Sequence, residues 1–135
     1  MIKKITQSLF AIIVILTLIS CKNTKQKLQE YVATYNSTAP SFKAENVTLT
    51  TARGYINDNK IELRFETNLE QNESNKNATI KRFPDLLREM LNKDQIPKEL
   101  VNEGVQFDVY FLADDNTVFV KEIVNAETMP ELIKK

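Results

Sequence analysis

Hydrophobic and polar residues alternate along this chain in two distinct rhythms. Leu28, Tyr31, Val32 and Tyr35 are spaced i, i+3, i+4, i+7, which is one stripe of an amphipathic helix. That helix is expected over Thr24 to Ser37, with Thr24 as its N-cap and Asn36-Ser37-Thr38 before Pro40 as its stop, since the residue before proline avoids the α region. Val47 to Ile56 is rich in threonine and β-branched residues, and Asn57-Asp58-Asn59 is turn chemistry. From Lys60 to Thr67 the period is two: Ile61, Leu63 and Phe65 point one way, and Lys60, Glu62, Arg64 and Glu66 the other. These segments predict a hairpin with one wet face, and Gly54 is expected to mark a bulge in its first strand.

The rhythm then repeats. Glu70 to Asn77 is polar throughout and reads as a mobile loop. Ile80, Phe83, Leu86, Leu87, Met90 and Leu91 fall on one helical face. Pro84 is compatible only with a first turn, which places the expected helix start near Arg82. Pro97 and Gly104 bracket a short helical piece over Lys98 to Glu103. Val105 to Leu112 alternates cleanly, Ala113-Asp114-Asp115-Asn116 is a turn, and Thr117 to Val124 returns as a partner strand with apolar groups on both sides. The expected fold is α+β: two α-β-β units forming a four-stranded antiparallel sheet, with two main helices on one face. The matching spacing of the two units suggests a duplication of shape. The organisation expected is a leader over 1–20, a tether over 21–23, one domain over 24–124 and an irregular tail over 125–135. The α-β-β order is similar in outline to PepSY-like and β-lactamase-inhibitor-type periplasmic modules; no motif of either can be quoted, so the likeness transfers no site.

The leader adds location. Met1-Ile2-Lys3-Lys4 is a basic start, Leu9 to Ile19 is apolar except for Thr17, and Ser20 precedes Cys21. That is the form of a secretory signal, too short to span a bilayer comfortably. The string Leu18-Ile19-Ser20-Cys21 resembles the bacterial lipobox. The resemblance covers this segment alone. It implies a thioether-linked diacylglycerol on Cys21, an acyl chain on its amine and a mature chain that begins there, tethered to a membrane through lipid; two or more acyl chains anchor stably. Lys22 rather than Asp follows the cysteine, so inner-membrane retention of the enterobacterial type is not implied; the outer membrane is the favoured destination, with the membrane and its leaflet both left open by the sequence. Lys22, Lys25 and Lys27 form a basic cluster beside the lipid, suited to anionic headgroups or to a solvated helix start.

Composition narrows the chemistry. The 135 residues hold 18 basic and 18 acidic side chains, no histidine, one cysteine and two glycines. A histidine-based triad is excluded, a disulfide framework has no pair of thiols, and a glycine-rich phosphate loop lacks its glycines. Removing Lys3 and Lys4 with the leader leaves 16 basic residues against 18 acidic, a net of −2, which argues against nucleic acid as a partner. No cofactor, metal site or catalytic residue is expected. Asp108, Asp114, Asp115 and Asn116 offer oxygen ligands but lack calcium-loop spacing and read as a hairpin turn. Lys60, Glu62, Arg64 and Glu66 read as a solvated strand face.

The candidate binding surface is Tyr55, Tyr110, Leu112 and Phe119, if these share the sheet face turned away from the helices; the alternatives are that the tail from Asn125 folds over them or that they complete the core. The function expected is that of a non-catalytic interaction module in the cell envelope, with an envelope protein as partner, reached through that face or through a free strand edge. The alternatives are an inhibitor or immunity-type lipoprotein that blocks an envelope enzyme, and a small carboxylate-dependent hydrolase.

Overall fold

The computed structural model describes residues 23–42 and 44–134. The leader, Cys21 and Lys22 lie outside the described residues, and the expected lipidation of Cys21 lies outside them too. In chain order the elements are α1 (Thr24–Thr38), a 3₁₀ turn (Ala39–Ser41), β1 (Val47–Tyr55), a second 3₁₀ turn (Ile56–Asp58), β2 (Lys60–Thr67), α2 (Glu73–Asn92), α3 (Lys98–Asn102), β3 (Gln106–Leu112), β4 (Val118–Val124) and α4 (Met129–Ile133).

The cap of α1 is Asn23, one residue before the Thr24 expected. Its side chain accepts the Gln26 N–H at 2.9 Å, and the Gln26 side chain accepts the Asn23 N–H at 3.3 Å. This reciprocal pair satisfies two end donors that a threonine one residue later leaves open.

The fold is α+β with the sheet order β1-β2-β3-β4. The outer pairs are antiparallel, but β2 and β3 run parallel, so the all-antiparallel sheet expected from sequence is corrected. The cause is the crossover between them. The chain leaves β2 at Thr67, travels back along α2 and α3, and re-enters the sheet at Gln106 beside the start of β2; a helical crossover of this kind is how parallel neighbours are joined. The duplication of shape goes with it. A translated copy would put β2 and β3 antiparallel; here α1 precedes an outer strand, whereas α2 and α3 precede an inner one.

Register defines two faces. Ala52, Leu63 and Val109 share one row of the inner face, and Thr50, Phe65, Phe111 and Val120 the next. Both main helices lie on that side. Tyr31 of α1 meets Phe107 edge-on at 5.5 Å, and Phe83 of α2 stands 5.5 Å from Phe111. Ile61, Leu63, Phe65, Leu87, Met90, Phe107 and Val109 are fully buried between the layers.

Gly54 carries no bulge: it pairs Ile61 in unbroken register. Its smallness serves packing instead. A Cβ there would stand 2.9 Å from Leu28 Cδ2 and 3.3 Å from Val32 Cγ2, so the absent side chain lets α1 lie directly on β1. Helix α1 also closes the outer edge of β1. The Asn36 side-chain amide donates to Ala52 O at 2.9 Å and accepts from Ala52 N at 2.8 Å, doing what a neighbouring strand would do. Tyr35 bonds Thr50 on the same strand at 2.6 Å.

Helix α2 begins at Glu73, nine residues before the expected start near Arg82, and absorbs most of the segment expected to be a mobile loop. The local reason is Asn72, whose side chain caps the Asn75 N–H at 2.8 Å, while the Asn75 amide bonds Glu70 O at 2.8 Å. Pro84 therefore sits inside the helix, where it removes one backbone donor. Burial of Thr79 and Phe83 before it and of Leu87, Met90 and Leu91 after it holds both halves down. Ile80, expected on the core face, is 45% exposed.

The tail expected as irregular carries the one-turn helix α4, which packs on α2. Arg88 Nε donates to Leu132 O at 2.9 Å, and Met129 is buried. The tail thus lies with the helices, not over the outer face of the sheet. Among the described residues no helix is long and apolar enough to cross a membrane.

Candidate functional site

A groove runs along the flank of α2. One wall is the strap that leads from α1 into β1, with Phe42, Glu45 and Val47. The other is the flank of α2, with Ala78, Arg82, Leu86 and Glu89. Phe83 and Phe111 line it from below together with Leu69. This groove encloses about 500 Å³. A second hollow of about 360 Å³ adjoins it between Tyr31 and Tyr35 of α1 and Asp94 and Gln95 beyond α2; Phe42, Ser41 and Gln95 border both.

Phe42 forms the partition between the hollows. It is half-buried and 5.4 Å from Phe65, which stands 6.2 Å from Phe111, itself 5.5 Å from Phe83. Phe42, Phe83 and Phe111 line the groove as an apolar floor, and the fully buried Phe65 backs them. The rim, by contrast, is charged but internally matched. Arg82 reaches across the groove to Glu45 at 3.1 Å, Lys93 pairs Glu89, and Asp85 pairs Arg88 at 3.0 Å.

In the adjoining hollow Tyr31 OH donates to Gln95 O at 2.8 Å. Burial pushes the Tyr31 hydroxyl far above its ordinary value, and the neighbouring Tyr35 adds to this. Tyr35 is raised by burial too, against a smaller lowering from its bond to Thr50. Both are neutral hydrogen-bonding groups at any physiological pH.

The surface residues expected from sequence separate. Tyr55 and Tyr110 do lie on the outer face of the sheet, by their register with Lys60 and Arg64. Both are covered by cations: Lys60 and Arg53 stand 4.9 and 5.4 Å from the Tyr55 ring centre, and Lys121 5.3 Å from that of Tyr110. Leu112 shares that face by its register with Glu66 but is only 1% exposed, and Phe119 is 3% exposed. The register slips between Phe111 and Leu112, so that Val120 and Val118 are their partners. A bulge re-aims the unpaired side chain, and Phe119 joins the core.

The charges on that face are not a uniform wet surface. Asp108, although only 4% exposed, is on the outer side, 2.8 Å from Gln106 Nε2 and 3.6 and 3.8 Å from Lys60 and Lys121. Lys121 is raised by its bond to Tyr110 first and by the charge of Asp108 next. Asp108 is therefore remote from the hairpin acids with which sequence grouped it. In the hairpin, Asp115 accepts from the Thr117 hydroxyl at 2.6 Å and its N–H at 3.1 Å, which holds its carboxyl below the usual range, and Asn116 takes the left-handed turn conformation, φ 67°. Among the described residues no group of three or more His, Cys, Asp or Glu is placed to hold a metal ion. Lys27, grouped with the basic cluster, bonds Glu99 at 3.0 Å and Glu103 at 2.9 Å, tying α1 to the region of α3.

The groove itself is not foreseen by the sequence. Its one legible trace is the aromatic set Phe42, Phe83 and Phe111, spread over three segments, which nothing in the local pattern links.

No protein-family model matches the chain, and no curated protein matches it. The likeness to PepSY-like and β-lactamase-inhibitor-type modules thus stays one of element order. Among solved structures the fold is similar to that of a candidate secreted protein from Pseudomonas aeruginosa, with a TM-score of 0.51 and 15% identity over 78% of this chain and 91% of that one. The type II secretion system pilotin AspS from Vibrio cholerae aligns with a TM-score of 0.39 and 11% identity, over 76% of this chain and 95% of that one. At 15% identity the likeness to the Pseudomonas aeruginosa protein is one of fold.

Proposed function

We propose that this chain is a lipid-anchored protein of the cell envelope, its domain outside the cytoplasm, and that the domain is a non-catalytic binding module whose groove takes an apolar segment of an envelope protein. The observation that carries the reading is the groove: three phenylalanines, Phe42, Phe83 and Phe111, below a rim whose charges are paired with one another. The floor favours apolar contact, the usual centre of an interface. An apolar helix or extended segment with few charges is the occupant that this chemistry suits.

The lipidated residue would be Cys21, two residues before the Asn23 cap of α1. The non-catalytic reading draws on composition: the chain has no histidine, and on this proposal its single cysteine carries the lipid.

Two measurements test it. Intact mass of the membrane-extracted protein should show loss of residues 1–20 and a diacylglycerol addition at Cys21; an unprocessed, fatty-acid-free chain refutes the anchor. For the groove, Ala78→Trp and Leu86→Arg should each abolish capture of the partner while leaving the melting temperature within a few degrees of wild type. Capture unchanged by both would refute the docking site.

A further inference from the structure

We propose that the outer face of the sheet is a second docking surface, one that seats the domain on the anionic headgroups of the bilayer. Four cations, Arg53, Lys60, Arg64 and Lys121, and three carboxylates, Glu62, Glu66 and Asp108, lie on this face by register. They are not equally presented. The side chains of Arg64, Lys121 and Lys60 are 46%, 42% and 32% exposed, whereas those of Glu62 and Asp108 are 17% and 6% exposed. Glu62 and Asp108 are thus sunk beneath the cations that pair with them, Arg64 with Glu62 at 3.6 Å and Lys60 and Lys121 with Asp108 at 3.6 and 3.8 Å, while Glu66 is half-buried; the face displays its cations, although the mature chain as a whole is net acidic. Tyr55 and Tyr110 lie between these cations; tyrosine with Lys or Arg is the pairing that favours a membrane–water boundary. Ile123 and Val118, 38% and 48% exposed, add apolar contact along β4. None of the described helices packs on this face. With the sheet on the headgroups, the helices and their groove face the aqueous side. The inference stands on the charge of the face and does not need the groove to be occupied.

Every buried core side chain of the described residues lies between Leu28 and Met129, and Asn23 caps α1, so a chain starting at Lys22 keeps the entire core and can be tested without its lipid. The experiment is co-sedimentation of residues 22–135 with vesicles of phosphatidylcholine alone or with one third phosphatidylglycerol, at low salt. Binding should be at least ten-fold greater on the anionic vesicles and vanish in 0.5 M NaCl, where screening is short-ranged. Each surface cation contributes roughly five-fold to such binding, so Arg53→Glu with Arg64→Glu should weaken it on the order of twenty-five-fold or more. Lys76→Glu with Lys81→Glu, the same change in net charge on exposed positions of α2, should cost only a few-fold. If the reversal on the sheet disturbs the fold by circular dichroism, Arg53→Gln with Arg64→Gln replaces it and should weaken binding on the order of twenty-five-fold. Equal losses from the sheet and α2 pairs would reduce the effect to net charge and overturn the proposal. So would equal binding to both vesicles, which would leave an acidic protein surface as the candidate for this face.

Discussion

Replacing Gly54 with alanine tests how α1 is seated on the sheet. By itself the change should help, because glycine inside a strand is worse than alanine by about 0.5–1 kcal/mol, and the Gly54 backbone is not in the left-handed region. Packing opposes it. The new methyl would lie 2.9 Å from Leu28 Cδ2 and 3.3 Å from Val32 Cγ2, and Leu28 is 0% exposed, so its tip has no free volume to swing into. Overpacking of this kind costs about 1–3 kcal/mol. The net expectation is a loss of about 1 kcal/mol, read as a drop of about 4–8 °C in melting temperature for a domain of this size. The assay is thermal unfolding followed by circular dichroism, repeated in a Leu28→Ala background. Leu28→Ala alone should cost about 2–5 kcal/mol through the cavity it leaves. In that background the alanine at 54 should become neutral or mildly stabilising, because its obstacle has gone. A rise in melting temperature for Gly54→Ala in the wild-type chain, or an equal loss in both backgrounds, would refute the close-approach explanation.

The same geometry sets three other outcomes. Asn36→Ala removes both bonds to the Ala52 backbone; a loss of about 1–2 kcal/mol in urea titration is expected, with new concentration-dependent association in sedimentation velocity because the edge of β1 is opened. Tyr31 and Tyr35 have folded-state values raised above those of the unfolded chain. Their contribution is therefore complete below about pH 10 and lost as pH rises beyond it, at up to about 1.4 kcal/mol per pH unit for each tyrosine. The double change Tyr31→Phe with Tyr35→Phe should flatten the alkaline limb of a stability–pH profile between about pH 10 and 12 and leave its acid limb unchanged. Asp108→Ala strips the buried partner from Lys60, Lys121 and Gln106. Because both lysines are about a third or more exposed, water recovers much of the interaction, and about 1–2 kcal/mol is expected in the same titration.

How far the sequence reaches depends on how local the determining interaction is. The strand Lys60–Thr67 is legible because alternation is set residue by residue, and it appears with those bounds. The capping of α2 by Asn72 is readable in principle, but Pro84 reads locally as a boundary, whereas the buried Phe83, Leu87 and Met90 hold a helix through it. Tertiary burial outweighs a local breaker there. The direction of β3 is not written in β3 itself; it is fixed by where α2 and α3 deliver the chain. Gly54 carries a signal, a glycine in a strand, with two physical causes, and only the position of Leu28 on another element decides between bulge and close approach. Tyr55 and Tyr110 are correctly sided by alternation. Phe119 is not, because one extra residue in a bulge reverses facing, and no local pattern records it. The groove is the least local feature of all: its rings come from the strap, α2 and β3, and become a floor only when the fold brings them together.

The most direct measurement is a photo-crosslink from the groove in intact cells. A benzoyl-phenylalanine at Ala78, on the groove wall, should give one discrete adduct, mapping by mass spectrometry to an apolar segment of an extracytoplasmic protein and lost in the Leu86→Arg background. The same group at Asn102, exposed on α3, should give no such adduct. Equal adducts from both positions, or none from Ala78, would contradict a docking groove in this domain.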